Sequence, residues 1–438
     1  MNIILLSGGS GKRLWPLSND TMSKQFLKLL KNDNGEFESM VQRVMRQIRT
    51  AHPDASIFIS SNTSQLDALN RQLNDVEVIQ EPSRRNTFPA IALAAAYLRY
   101  VKQLDESETF IVCPIDAYAE LTYFQLLSEV EKLVTSKGKK IGLLGVFPTY
   151  PSEQYGYIIQ DKGEVSGFVE KPSASKAESL ISTGALWNCG VFSLEIGYVL
   201  SYARKYAEFE SFESLYQQYD KLPQISIDYE IAEKEKSIGV VKYNGIWKDL
   251  GAWNSLTEEM SDNSIGRDIL ISDDSNNTHV LNMLNIPIMV QDLSDSVIIA
   301  SHDGILVSSK EGSTSIKPLA EKINLRPMYE QRKWGKYRVL DYLQSDGASS
   351  LIKRLHIDAG KSISYQYHSK RSEVWVIVKG KGILTLDGVE SEVSQGSVIH
   401  IPCGAKHSLR AETGLEFVEV QLGAGELEEE DIVRISAL

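Results

Sequence analysis

Apolar positions along this chain fall into short runs separated by polar, turn-rich segments, and the texture of those runs changes twice. Up to about Ser261, compact apolar stretches such as Ile3 to Leu6, Ser56 to Ser60, Phe110 to Cys113 and Ile141 to Val146 alternate with longer helical patterns such as Pro89 to Val101. Runs of this length without polar alternation predict strands buried on both faces, and their alternation with helices predicts an α/β domain with a mostly parallel sheet over 1–261. From Asp262 to Asn324 the helical patterns thin out. Short β-runs at Ile286 to Gln291, Ser296 to Ala300 and Gly304 to Val307 predict a small β-rich linker domain over 262–324. From there to residue 438, and most densely from Trp334, short strands with turn residues between them predict a β-barrel or jelly roll.

Composition narrows the function classes. The 438 residues are 42% hydrophobic, enough for two or three domains with a sizeable core. A net charge of −12 argues against nucleic acid or an anionic membrane as partner, while leaving room for a local basic cleft that holds a small phosphorylated substrate. The N-terminal apolar run is too short for a signal peptide, and no segment approaches a membrane span. Cys113, Cys189 and Cys403 lie far apart with no CxxC pair, which suits a reducing cytoplasm and suggests neither a disulfide framework nor a thiolate zinc site.

Candidate chemistry begins at the first strand. Ser7 to Gly11 form a glycine-rich loop whose N–H groups can converge on a phosphate, and Lys12, Arg13 and Lys24 follow closely. A P-loop is excluded because Leu6 stands where it needs glycine and Arg13 where it needs Ser or Thr. A dinucleotide fingerprint is excluded because Leu14 takes the place of the third glycine. Asp116 emerges at the carboxyl end of an apolar strand, where ligands of α/β sheets bind, and Asp249 follows another apolar segment. Either Asp alone reads as a turn or helix cap; brought together beside phosphates, the two would hold Mg²⁺.

In the last third, Gly360 is followed after five residues by Gln366, then His368, Glu373 and Gly380, with Gly396, Pro402, Gly404 and His407 at the intervals of a second cupin motif. Strand alternation points Gln366 and His368 both inward; Glu373 is expected from the next strand and His407 from an opposite hairpin. Such oxygen and imidazole ligands suit Zn²⁺, Mn²⁺ or Fe²⁺. Any one of these histidines alone is more often a hydrogen-bonded core residue; four ligand types at cupin spacing favour a metal site.

These residues carry a family resemblance. LSGGSGKRLWPLS with SKQFL, EPSRRNTFPAIALAAA, FVEKP, WNCGVF, SIDYEIAEK and WKDLGAW resemble, in order, the signature segments of bacterial mannose-1-phosphate guanylyltransferases. The resemblance implies a Rossmann-like mixed sheet of the nucleotide-diphospho-sugar transferase type and formation of GDP-mannose and pyrophosphate from GTP and mannose 1-phosphate. It places Leu6, Gly8, Gly9, Ser10, Gly11, Lys12, Glu81, Arg85, Asn86 and Thr87 around the nucleotide, with Arg13 and Lys24 on the triphosphate. Tyr155, Gly156, Glu170, Asn188 and Asp228 fall on the sugar side, Lys171 on the sugar phosphate, and Mg²⁺ on Asp116 and Asp249. Glu81 is either an acceptor for a donor-rich purine edge or a salt-bridge partner of Arg84 or Arg85. Lys12, where the family commonly has Thr, and Arg84, where it has Gly, leave open another nucleotide or another manno-configured sugar 1-phosphate. A homodimer is allowed.

The C-terminal region, 325–438, resembles the type II phosphomannose isomerase half fused to such transferases, which would interconvert fructose 6-phosphate and mannose 6-phosphate. Arg371 is the implied isomerase arginine. Ser369, Lys370 and Val374 stand where the family segment QMHHHRAEHW carries histidines, and the tail beyond Arg434 is short. A metal site that has lost its isomerase activity is therefore expected alongside a bifunctional enzyme.

Overall fold

The computed structural model describes residues 1–8, 12–19, 22–161, 164–323, 325–345, 347–424, 427 and 431–435. The chain forms two compact units. One comprises Met1–Leu14, Ser23–Asn263 and Lys310–Ser315; the other comprises Trp15–Met22, Ser264–Ser309 and Ile316–Leu438.

In the first unit, nine strands among the described residues make one mixed sheet. Asn2–Leu6 lies parallel between Ser56–Asn62 and Thr109–Pro114, and Glu77–Glu81 extends this parallel half. Leu186–Glu195 runs antiparallel to Thr109–Pro114, Ile141–Val146 and Gly156–Asp161, and so joins the parallel half to the rest. The central strands are buried because helices cover them. The helix Thr87–Ala96, all of whose residues after Thr87 are buried, packs its Phe88, Ile91 and Leu93 into the same core as Ile4, Phe110 and Val112. The predicted helix Pro89 to Val101 is thus present, starting two residues earlier and ending in a wider turn over Tyr97–Val101.

Leu186–Glu195 changes partners halfway, with a register shift between Asn188 and Phe192. Gly190 sits at that bulge with φ +78°, and a Cβ there would fall 2.9 Å from Cγ of Pro114. Glycine is what lets this strand pass so close to the end of its neighbour.

In the second unit, Ser264–Gly266, His279–Asn282 and Ser296–Ser301 stack as parallel rungs, and Gly304–Ser309 returns antiparallel along the last. Val280, Val290 and Ile298 form the small core of this part. The remainder folds into two antiparallel sheets. Among the described residues, one has six strands and includes Gly335–Ser345, Ala348–Ile357, Leu415–Gly423 and Arg371–Lys379. The other has five and includes Lys381–Leu386, His407–Ala411, Gln366–His368 and Ile432–Arg434. Ala348–Ile357 and Leu415–Gly423 alternate buried with less buried positions, the period of strands that present one face to a core. That core is built on Trp375, Phe417, Leu355 and Leu409.

Candidate functional site

Lys24 is the hub of the first unit's polar centre. Its Nζ lies 2.7 Å from Oδ2 of Asp116 and 2.7 Å from Oδ1 of Asp249. The two carboxylate oxygens therefore converge on one point. Asp116 follows the end of Thr109–Pro114, and a short ribbon pairs Ala117–Ala119 with Trp247–Asp249, setting Asp249 opposite Ala117 and beside Asp116. Lys24 is fixed from the other side by a buried polar chain. Gln25 donates to the Ser7 hydroxyl at 3.0 Å, Ser7 donates to Gln65 at 3.0 Å, and Gln65 donates to Ser23 at 2.8 Å. Burial by itself would lower the Lys24 pKa, but Asp116 and Asp249 more than offset it, so the ammonium stays charged well above the ordinary lysine range. Burial would likewise raise Asp249, and Lys24 and Arg13 hold it below its ordinary value. Arg13 is 4.0 Å from Asp249 and donates to Gln154 at 3.4 Å.

Beside this centre opens a cleft of roughly 270 Å³ lined by Leu6, Gly8, Thr87, Asp116, Tyr155, Gly156, Glu170, Asn188 and Asp228 among others. Nine residues singled out from the sequence thus meet on one surface. Asn188 donates to Asp228 at 2.8 Å, and burial raises the Asp228 pKa despite that bond. Glu170 is raised by burial and by Asp228, and Lys171 reaches it at 3.0 Å. A Cβ at Gly156 would stand 2.4 Å from a Glu170 oxygen, so glycine makes room for that carboxylate. Two backbones here are held in unusual conformations: Asn86 at φ +76°, capping the helix through Thr87, and Lys171 at φ +45°. Each costs on the order of 1–3 kcal/mol, the kind of strain that collects at ligand sites.

Other predicted residues stand farther back. Glu81 accepts hydrogen bonds from Ser60 at 2.9 Å and Tyr219 at 3.1 Å, and burial raises its pKa. Arg85 donates to the Leu222 carbonyl at 3.0 Å and lies 3.4 Å from Asp220. Gly9, Ser10 and Gly11 lie outside the described residues, as does the side chain of Lys12. The sequence reading missed Gln154 and an aromatic wall in which the Tyr155 ring lies 5.0 Å from Trp187 and 5.2 Å from Trp247. The WNCGVF and WKDLGAW segments contain both tryptophans, so the signal was in hand without a contact to connect them.

The second unit holds a separate centre. His368, Glu373 and His407 bring ligand atoms within 4.8 Å of one another, and all three are buried. Nε2 of His368 is 3.1 Å and Nε2 of His407 3.7 Å from the Glu373 carboxylate. Nδ1 of His368 is buried without a hydrogen-bond partner among the described residues, and neither Nε2 meets the Glu373 carboxylate with good hydrogen-bond geometry. His407 Nδ1 meets the Ala405 carbonyl at 3.0 Å, which fixes the tautomer that leaves Nε2 as an electron-pair donor. Burial lowers His407 and favours the neutral ring. This donor set fits a divalent transition metal.

One placement differs from expectation. His407 comes not from an opposite hairpin but from the strand paired beside Gln366, which it faces in register, while Glu373 arrives from the other sheet. The sequence interval could not say which strands would pair. Gln366 accepts from Ser364 at 2.8 Å. Arg371 is buried with Nε 3.2 Å from Glu373 and a guanidinium nitrogen 3.7 Å from Asp431. Further buried partners were not foreseen. Trp375 donates to Glu373 at 3.0 Å, and Gln421 bridges Glu373 at 3.4 Å and Glu419 at 3.0 Å. Burial and the Glu373 charge push Glu419 up to about 8.

The first unit is thus a mixed sheet with two acids, one just past a strand's carboxyl end, beside a polar cleft. Residues 2–264 match the Nucleotidyl transferase family model and residues 323–437 match that of the Mannose-6-phosphate isomerase C-terminal domain. The chain is 30% identical to the mannose-1-phosphate guanylyltransferase of Salmonella montevideo, across 99% of this chain and 98% of the relative. It is 29% identical to that of Escherichia coli K12, across 99% and 97%. A crystal structure from Thermus thermophilus, described as a mannose-1-phosphate geranyltransferase, aligns with TM-score 0.60 at 24% identity over 74% of this chain and 99% of its own. The chain belongs to the mannose-1-phosphate guanylyltransferase family and is an enzyme of the nucleotidyltransferase class.

Proposed function

We propose that the protein forms GDP-mannose and pyrophosphate from GTP and mannose 1-phosphate, with Mg²⁺ held by Asp116 and Asp249. The observation that carries the reading is the convergence of both carboxylates on one cationic point, 2.7 Å from each, at the edge of the polar cleft. Bound Mg²⁺ would neutralise charge on the reacting phosphates and on departing pyrophosphate. Lys24 and Arg13 add fixed positive charge on the triphosphate side, where Leu6, the Gly8 to Lys12 loop, Asn86 and Thr87 receive the nucleotide.

Lys171 meets the phosphate of the sugar, and Tyr155, Gly156, Glu170, Asn188 and Asp228 orient its hydroxyls. The attacking phosphate oxygen is already ionised, so no general base is needed; positioning and charge stabilisation carry the rate. Glu81, fixed by two hydroxyl donors, lies on the nucleotide side as the acceptor for the base or as a support beneath it. The acidic net charge and the sequence context fit a cytoplasmic enzyme of sugar-nucleotide and polysaccharide biosynthesis with small-molecule partners. Among the described residues no helix is long and apolar enough to cross a membrane.

The cupin holds Zn²⁺ or another divalent transition metal on His368, Glu373 and His407, with Gln366 beside them, and isomerises fructose 6-phosphate weakly or not at all. Ser369 supports this reading: in a position where an imidazole was expected, its hydroxyl donates to Asp431 at 2.7 Å. Fructose 6-phosphate conversion with Zn²⁺, Mn²⁺ and Co²⁺ supplied in turn measures it, and robust turnover abolished by Arg371→Ala would make the protein bifunctional. Pyrophosphate release from GTP and mannose 1-phosphate, with and without Mg²⁺, tests the main reading. Release that requires both substrates and the metal is expected; none under any condition would overturn it.

A further inference from the structure

Apart from both centres, the second unit carries a recess of roughly 250 Å³ whose walls include His302, Lys336, Arg338, Arg354, His356 and Glu416. Its floor is the antiparallel pair Gly335–Ser345 and Ala348–Ile357. Register sets Lys336 opposite His356 and Arg338 opposite Arg354, so basic side chains face one another across the strands at two successive positions of one face. The alternate residues Tyr337, Leu355 and Ile357 are buried in the core. Like charges directly opposite in a sheet destabilise it, and the two acids nearby, Glu416 on Leu415–Gly423 and Asp358 just past Ala348–Ile357, sit at the end of the pair that carries Arg354 and His356. Glu416 lies 3.5 Å from Arg354 and 3.7 Å from His356, and Asp358 lies 3.3 Å from His356. Arg338 instead meets a ring nitrogen of His302 at 3.2 Å. Burial and the Arg338 charge lower the His302 pKa against the opposing pull of Asp303, so the imidazole accepts that bond as a neutral ring and supplies no countercharge to the guanidinium.

We infer that this recess binds the phosphate or diphosphate group of a small metabolite through Arg338, Arg354 and Lys336, and that the segment Trp15–Asn19 senses its occupancy. Two guanidinium forks facing across a strand pair suit phosphate oxygens, and the small volume suits a metabolite. The link to the segment is the hairpin turn that carries His302. Ser301 donates to the Pro16 carbonyl at 2.9 Å, and Asn19 donates to Asp303 at 3.0 Å. Asp303 also accepts from the Met328 backbone at 2.6 Å, and a Cβ at Gly304 would fall 2.5 Å from the Trp15 ring. A phosphate that draws Arg338 from His302 frees the turn that clasps this segment, and only Leu14 separates the segment from Arg13. Any effect on the transferase rests on the function proposed above; the site itself does not.

The test is calorimetric titration of the full chain and of Arg338→Gln/Arg354→Gln with inorganic phosphate, mannose 6-phosphate and GDP-mannose, with amide exchange followed over 15–19 and 301–304. One binding event should weaken at least about tenfold in the double variant, and the ligand should alter exchange in both segments only in the unaltered chain. Preference for the monoester or the sugar nucleotide names the source of the phosphate. Equal binding by both chains, or binding of inorganic phosphate alone as an adventitious ion only, would overturn the site. Binding without an exchange response at 15–19 would overturn the coupling. Removing opposed cations should leave ligand-free melting unchanged or raised, and a lower melting temperature would show that they are structural. No readout uses transferase activity, so failure of the substrate assignment would leave the result intact.

Discussion

The two carboxylate centres of this protein solve the same electrostatic problem in opposite ways. In the transferase cleft, Asp116 and Asp249 are about three-tenths exposed, and the chain supplies its own counter-ion in Lys24. In the cupin, His368, Glu373 and His407 are at most 2% exposed, and the only charge that the two Nε2 atoms share is the Glu373 carboxylate, 3.1 and 3.7 Å away. The first centre is satisfied without a metal, so a divalent cation there must compete with an ammonium and can exchange with solvent. The second turns two buried imidazole nitrogens onto one carboxylate and leaves His368 Nδ1 without a hydrogen-bond partner among the described residues, an arrangement that a bound cation would complete. A metal that turns over with substrate is expected in the cleft, and a resident one in the barrel.

The largest effect expected from this contrast is in the cleft. Asp116→Ala and Asp249→Ala should each lower turnover by about 10² or more, the loss of a main electrostatic stabiliser, with little change in circular dichroism. Near-normal turnover in either variant at limiting Mg²⁺ would reduce that carboxylate to a turn cap. For the barrel, purified protein should carry about one equivalent of transition metal through desalting, by elemental analysis, and His368→Ala should lose it. Gln421→Leu, which removes an amide shared by Glu373 and Glu419, should weaken metal affinity by about 10–100-fold and leave transferase turnover unaltered.

The smallest effect concerns pH. Asp228 and Glu170 have folded-state pKa values raised by burial, so their contribution to stability is fully present below the unfolded carboxylate range. It is lost as pH rises through the folded values. Asp228→Asn should therefore flatten the pH dependence of thermal melting just above that range, and a slope identical to the unaltered chain would remove Asp228 as its source.

The same contrast governs how much of the molecule could be read from sequence. Strands buried on both faces announce themselves as apolar runs: Ile141–Val146 was placed to the residue, and Ser296–Ser301 within one. Asp116 was legible because it follows such a run, and Asp249 because it ends the short, half-buried strand Trp247–Asp249. Their convergence on Lys24 was not, since it depends on Gln65 reaching Ser7 and Ser23 across 58 and 42 positions. In the barrel, motif spacing located His368, Glu373 and His407 but not their strand neighbours. Lys353, Glu419 and Gln421 are buried although lysine, glutamate and glutamine in a strand ordinarily mark its solvent face. Their inward orientation follows from the pairing of Ala348–Ile357 with Leu415–Gly423, which sets Lys353 opposite Glu419.

Transfer of a guanylyl group to mannose 1-phosphate in the cleft is measured by kcat/KM for a panel of nucleoside triphosphates against several sugar 1-phosphates, with Asp249→Ala run in parallel. GTP with mannose 1-phosphate should stand well above every other pair and fall strongly in the variant. Equal rates for the other pairs would contradict the substrate assignment, and an active Asp249→Ala would contradict the site.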